Sequence, residues 1–148
     1  MVVMRRFPDS SSGRSVELTA QDLVVMFKNE PRTVRLEAGQ VLFKNGDLGG
    51  SMYIVQSGTL RIRSGSVIYE DVGPGGMVGE MGIVETTMPR SAMVYALTPA
   101  ELVEVDQERF LVLVDETPSF ALTVMRVLSR RLRRMDDRYE ARVSDDIR

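Results

Sequence analysis

The chain contains no cysteine and no histidine. The first absence excludes disulfides, thiolate metal sites and cysteine nucleophiles, and the second removes the commonest metal ligand and general base. Together they exclude most hydrolytic and metal chemistry. Long apolar runs are missing as well: Leu23 to Phe27 and Phe110 to Val114 are five residues each, against the ~20 that span a bilayer. No membrane span is expected. Near the N-terminus Arg5 and Arg6 lead into Pro, Asp and a Ser run rather than an apolar stretch. The pattern of a secretory signal is lacking, and a cytoplasmic location is expected. Nor does one sign of charge dominate: 19 Lys and Arg face 21 Asp and Glu, a net charge of −2. Global electrostatics therefore gives no reason to expect a nucleic-acid binder.

What is present is the composition of a folded domain. The 148 residues, 43% hydrophobic and 27% charged, suffice for one compact unit with its own core. Residues 1–15 are rich in Ser, Arg and Gly without periodicity and read as a flexible tail, leaving 16–148 as the domain. Thr19 with Asp22 three positions on, followed by Leu23, Val24, Met26 and Phe27, predicts a short capped helix running to about Asn29, where Pro31 stops it.

From about 34 to 106 the pattern changes to short apolar runs punctuated by glycine turns. Candidate strands are Val41 to Phe43, Met52 to Gln56, Thr59 to Arg63, Val67 to Asp71, Ser91 to Leu97 and Glu101 to Val105. Leu60 and Ile62 alternating with Arg61 and Arg63 mark a half-buried strand. Six or more short antiparallel strands with close turns favour a sandwich, jelly roll or small barrel, because those architectures protect strand edges. The fold class is thus mainly β with flanking helices (α+β).

Helical spacing returns over about 107–142. Asp106 to Val114 reads as a short helix, and Pro118 opens a long C-terminal one. On it Ala121, Met125, Leu128, Leu132, Met135 and Tyr139 are separated by 4, 3, 4, 3 and 4 residues, a heptad seam that predicts a homodimer. The alternative is packing on the β domain, for which Val124 and Val127 offer a second stripe. From Arg126 to Arg142 seven arginines face Asp136, Asp137 and Glu140, a local +4. Such a run reads as a solvated helix face or as anion or nucleic-acid contact.

Between the glycine turn at residues 73–76 and the next strand lies the densest chemistry. Gly79 allows close backbone approach, and a short helix starting at Glu80 would aim unpaired backbone N–H groups outward, making an anion site. Arg90 adds full positive charge in a planar fork suited to phosphate. Ser91 adds a hydroxyl donor, and Ala92 follows. Glu80, an acid beside an anion site, makes sense against a ribose hydroxyl. Phosphate plus sugar implies a nucleotide. Singly, a Gly-Glu pair is an ordinary turn and an arginine an ordinary surface residue.

In combination they resemble the cyclic-nucleotide-binding domain family, the sensor module of catabolite activator proteins, protein kinase A regulatory subunits and cyclic-nucleotide-gated channels. The resemblance runs from about Val34 to Tyr139. It rests on the Gly79-Glu80 start and Arg90-Ser91-Ala92 end of a phosphate-binding cassette, with Gly39 before Val41-Leu42-Phe43, Asp47 in a glycine-rich turn, and Tyr53 to Leu60 as early strands.

The resemblance implies an antiparallel double-stranded β-roll with Arg90 on a cyclic phosphate and Glu80 on the ribose 2′-hydroxyl. Backbone amides near Met81, Gly82 and Ala92 would complete the cradle. It places the base, of cAMP or cGMP, near Arg131, Met135 and Asp136, where a carboxylate would accept from guanine N1–H and N2–H₂. No metal, cofactor or covalent chemistry is implied, so the chain is not expected to be an enzyme. Its partners would be the cyclic nucleotide, a second copy and an unknown effector protein. A catabolite activator would continue into a helix-turn-helix domain, whereas this chain ends at Arg148, and direct DNA binding is not expected. The alternative function is a degenerate member of the same fold that mediates protein interaction without a ligand.

Overall fold

Thr19 caps the first helix in the way its sequence implies. Its hydroxyl accepts from the Asp22 amide at 3.1 Å, and the Asp22 carboxylate accepts from the Thr19 amide at 2.8 Å. In the computed structural model, which describes residues 17–146, this helix is α1, Ala20–Met26. It is shorter than expected, because Phe27 takes the C-cap position and buries its ring in the core. The expected tail at 1–15 lies outside the described residues.

Eight strands follow: β1 Thr33–Leu36, β2 Val41–Phe43, β3 Ser51–Ser57, β4 Leu60–Ser64, β5 Val67–Val72, β6 Met77–Val78, β7 Met93–Ala96 and β8 Ala100–Asp106. They form two antiparallel four-stranded sheets, ordered β1-β8-β3-β6 and β2-β7-β4-β5. The expected β-roll is there, with two strands that the pattern did not announce. β6 is two residues long, and β1 buries only Leu36. Neither is long enough to show a period.

The first sheet is covered on both faces. On β3, Val55 points between the sheets with Leu36, Leu60, Val72, Val94 and Leu102, while Met52 and Ile54 point the other way onto Leu23, Phe27, Leu113 and Phe120. Alternation places residues i and i+2 on one face, and because both faces are apolar the run Met52 to Val55 shows no break. The second sheet faces the core on one side only, and its strand β4 keeps the alternation of Leu60 and Ile62 with Arg61 and Arg63.

Three more helices complete the fold: α2 Met81–Val84, α3 Gln107–Glu116 and α4 Ser119–Asp146. Asp106 caps α3 by accepting from the Arg109 amide at 2.8 Å. α4 starts directly after Pro118 and carries two stripes. One, Phe120, Val124 and Val127, packs on the helix-side core and is continued by Arg131, Arg134 and Arg138, which reach β5 or residues beside it. The other, the heptad seam, leaves Met125, Leu132, Met135 and Tyr139 exposed. Leu128 departs from the expected seam and packs partly on the core. Packing on the β domain thus holds for one face, and the other face keeps an exposed apolar stripe. None of the described helices is long and apolar enough to cross a membrane.

Candidate functional site

A cavity of about 440 Å³ opens between the sheets, lined by Leu42, Phe43, Asp47, Leu48, Gly49, Ser51, Tyr53, Arg90 and Glu104. Arg90 is its cation. The side chain is buried, 9% exposed, and its guanidinium donates to the Ser51 carbonyl at 2.7 Å and the Gly79 carbonyl at 3.3 Å. Its centre lies 4.3 Å from the middle of the Phe43 ring. Among the described residues no carboxylate lies within 4.0 Å of it. Burial pushes its pKa down from the ordinary arginine value, against Tyr53, Glu80 and Asp47, which favour the cation. Burial likewise pushes the Tyr53 phenol up, and Glu104 adds to that.

Glycines make room for this guanidinium. A Cβ on Gly49 would stand 2.7 Å from Arg90 Nη2, and one on Gly79 or Gly82 would stand 2.9 or 2.7 Å from Nη1. Gly79 also has φ +76°, in the left-handed region where other residues are strained. The turn it makes is tight. Consequently the amides of Gly82 and Ile83 donate to the carbonyls of Gly79 and Glu80, at 3.0 and 3.1 Å. The outward row of free N–H groups expected from the sequence is therefore not present at Gly82.

Glu80 is 5% exposed, and its carboxylate faces α4 rather than capping α2. Arg131 Nη1 lies 2.7 Å from Glu80 Oε2. The same guanidinium donates through Nε and Nη2 to Glu70 at 3.3 and 3.1 Å, and to the Met77 carbonyl at 2.7 Å. Burial disfavours this cation, but Glu80 and Glu70 outweigh it and push its pKa up. Arg134 Nη1 donates to Glu70 Oε1 at 2.6 Å. Charges thus alternate from the cavity outward: Arg90, Glu80, Arg131, Glu70, Arg134.

The structure brings Gly79, Glu80, Gly82, Arg90 and Arg131 together. Met81 is exposed. Ser91 is exposed too, its carbonyl accepting from Asn45 Nδ2 at 2.9 Å, and Ala92 is half-buried just before β7. Met135 and Asp136 are exposed on α4. Asp136 lies two residues past Arg134, about 200° around the helix at ~100° per residue. It points away from the stripe that meets β5. Sequence reasoning passed over Phe43, Gly49, Ser51, Tyr53 and Glu104 as wall residues and Glu70 as a charge. Only the glycine cluster at residues 46–50 hinted at a close approach.

A model of the cyclic nucleotide-binding domain matches residues 33–117, the segment that builds both sheets, the cavity and the turn carrying Glu80 and Arg90. The chain belongs to the cyclic nucleotide-binding domain family. The Cyclic AMP receptor protein of Thermus thermophilus is 33% identical over 103 residues, 66% of this chain and 47% of that protein. Lysophospholipase NTE1 of Chaetomium globosum is 29% identical over 109 residues, which are 70% of this chain and 7% of that protein. The chain thus spans less than half the length of either relative.

Two solved structures bear the same likeness. One, from work on a cyclic-GMP-dependent signalling pathway that regulates bacterial phytopathogenesis, superposes with a TM-score of 0.68 at 30% identity, covering 80% of this chain and 98% of that one. The Catabolite Activator Protein of Thermus thermophilus also gives 0.68, at 29% identity, over 82% of this chain and 58% of that one.

Proposed function

We propose that this chain is a non-enzymatic cytoplasmic sensor that binds a 3′,5′-cyclic nucleotide, cAMP or cGMP, and relays occupancy through α4 to an effector protein. The observation that carries the reading is Arg90: a buried guanidinium at a cavity wall, held by carbonyls and a ring, with no carboxylate within 4.0 Å among the described residues. A phosphate supplies the missing charge in the planar geometry that a guanidinium favours. Glu80, ten residues earlier, takes the ribose 2′-hydroxyl, and Ser91 and the backbone near Met81, Gly82 and Ala92 lie around the same turn. The cavity also falls within the ~300–1,000 Å³ usual for small-molecule sites.

Relay through α4 is supported by Arg131, which ties the helix to Glu80, the proposed sugar contact. The exposed stripe of Met125, Leu132, Met135 and Tyr139 supports a homodimer, since a second copy covers such a patch symmetrically. A protein effector, rather than DNA, is supported by the arginines of α4. Arg130 pairs with Glu17 at 2.8 Å, and Arg131, Arg134 and Arg138 are engaged by Glu70, Glu80 and backbone carbonyls. Each of these four has a partner within the domain.

Calorimetric titration of the folded chain with cAMP and cGMP tests the reading. Saturable binding of at least one is expected. Arg90→Ala should weaken it by one to two decades, as hydrogen bonds to charged groups contribute ~1.5 to 3 kcal/mol; Arg90→Lys should recover only part. No binding of either nucleotide would leave an interaction scaffold without a ligand.

A further inference from the structure

We propose that Glu70 and Arg134 read the base of the cyclic nucleotide and select guanine over adenine. The inference rests on the sensor reading and goes further by naming the residues that discriminate and the nucleotide that they favour.

The order of charges fixes the direction. With phosphate at Arg90 and sugar at Glu80, the base continues along the array past Arg131, which is engaged by Glu80 and Glu70, toward Glu70 and Arg134. Glu70 sits on the inner face of β5: it pairs across the sheet with Ile62, which packs on the inter-sheet core, and it lies two residues before buried Val72. Asp136, the carboxylate that the sequence suggested for this task, is exposed on the far side of α4.

The donor and acceptor pattern then decides the base. Guanine presents N2–H₂, N1–H and O6 in a row, two donors and an acceptor. Adenine presents an acceptor at N1 and a donor at N6. A carboxylate is acceptor-only and a guanidinium donor-only. Placed side by side, they complement the guanine edge, and adenine would put its N1 lone pair against the carboxylate.

Both groups have capacity left. Glu70 Oε2 accepts a single hydrogen bond, from Arg131 at 3.1 Å. Arg134 makes a single hydrogen bond among the described residues, to Glu70, which leaves the other edge of its fork for O6. Arg131 is already saturated by Glu80, Glu70 and the Met77 carbonyl. Its part is to hold Glu70 in place.

Calorimetric titrations of the full chain with cyclic GMP and cyclic AMP test this in the wild type, Glu70→Gln, Arg134→Gln and Asp136→Ala. A bidentate base contact is worth about ten- to a hundredfold in discrimination, so the wild type should favour cyclic GMP by that factor. Glu70→Gln and Arg134→Gln should each remove most of the preference, read as the ratio of the two affinities within each variant, and Asp136→Ala should preserve it. Arg134 is half exposed and its one hydrogen bond among the described residues is to Glu70, so its variant keeps the test available if Glu70→Gln fails to fold. Wild-type binding with equal affinities or a cyclic AMP preference overturns the base assignment and leaves the sensor standing. So does a cyclic GMP preference unchanged in both Glu70→Gln and Arg134→Gln, or one lost in Asp136→Ala alone. Failure of the folded wild type to bind either nucleotide overturns the sensor reading itself, and this inference with it.

Discussion

Arg90 and Arg131 are two largely buried guanidinium groups at one site, one at its cavity end and one at its helix end, and they are held in opposite ways. Arg131 has two carboxylates and a carbonyl around it, and the charge on Glu80 and Glu70 outweighs its burial. Arg90 has two carbonyls and an aromatic face but no carboxylate within 4.0 Å among the described residues, and burial works against it. The difference separates a group neutralised within the fold from the group proposed to take the ligand's phosphate. An ion pair satisfied internally serves structure; a buried cation held only by dipoles keeps its charge available for an anion.

The largest effect expected from this contrast is on stability at Arg131. Replacing Arg131 by Met leaves Glu80 buried without its counter-ion, and breaking a buried pair in this way costs roughly 3 to 5 kcal/mol. Chemical denaturation measures it, and a loss under about 1 kcal/mol would break the comparison at this end. Arg90→Met should do the reverse. Removing a buried cation that has no ion pair within 4.0 Å among the described residues should change stability by less than about 1 kcal/mol, while cyclic-nucleotide affinity falls by about one to two decades.

A smaller effect sharpens the cavity end without touching Arg90. Gly49→Ala places a Cβ 2.7 Å from Arg90 Nη2, with only the end of that side chain in the way. The guanidinium can move aside, so stability should hold. Displacement of a charged donor by a fraction of an ångström should weaken ligand binding by about three- to tenfold. Equal losses in stability and affinity would show that Gly49 serves the fold rather than the guanidinium.

How much of this was legible in the sequence follows the range over which each contact acts. The Thr19–Asp22 cap and the β4 alternation are local patterns, and both stand where they were read. The Glu80 to Arg90 cassette was legible because its chemistry is compressed into one turn. By contrast, Glu70 and Arg131 are 61 residues apart, and Tyr53 and Arg90 lie on different sheets or their connections; no periodicity records such pairings. The α4 seam was legible as a stripe, yet Leu128 faces the core because α4 packs there through Phe120 and Val124. The outward amide expected at Gly82 is turned inward for a local reason, since it donates to the carbonyl of Gly79, whose φ is positive.

The smallest effect tests whether coordination or burial makes Arg90 special. Arg138 has the same kinds of partner: its Nη2 donates to the Tyr69 carbonyl at 2.9 Å, and its guanidinium centre lies 4.6 Å from the middle of the Tyr69 ring. It sits near the open end of α4, however, where water can solvate the charge. Arg138 and the Tyr69 ring are half-buried, and a cation–ring contact contributes ~0.5 to 2 kcal/mol, so Arg138→Ala should cost about that much in stability. Cyclic-nucleotide affinity should stay within about threefold of the wild type, since a solvated guanidinium offers an anion little that water does not. If Arg138→Ala instead weakens binding by a decade, the distal turns of α4 take part in holding the ligand. Burial would then not be what distinguishes Arg90.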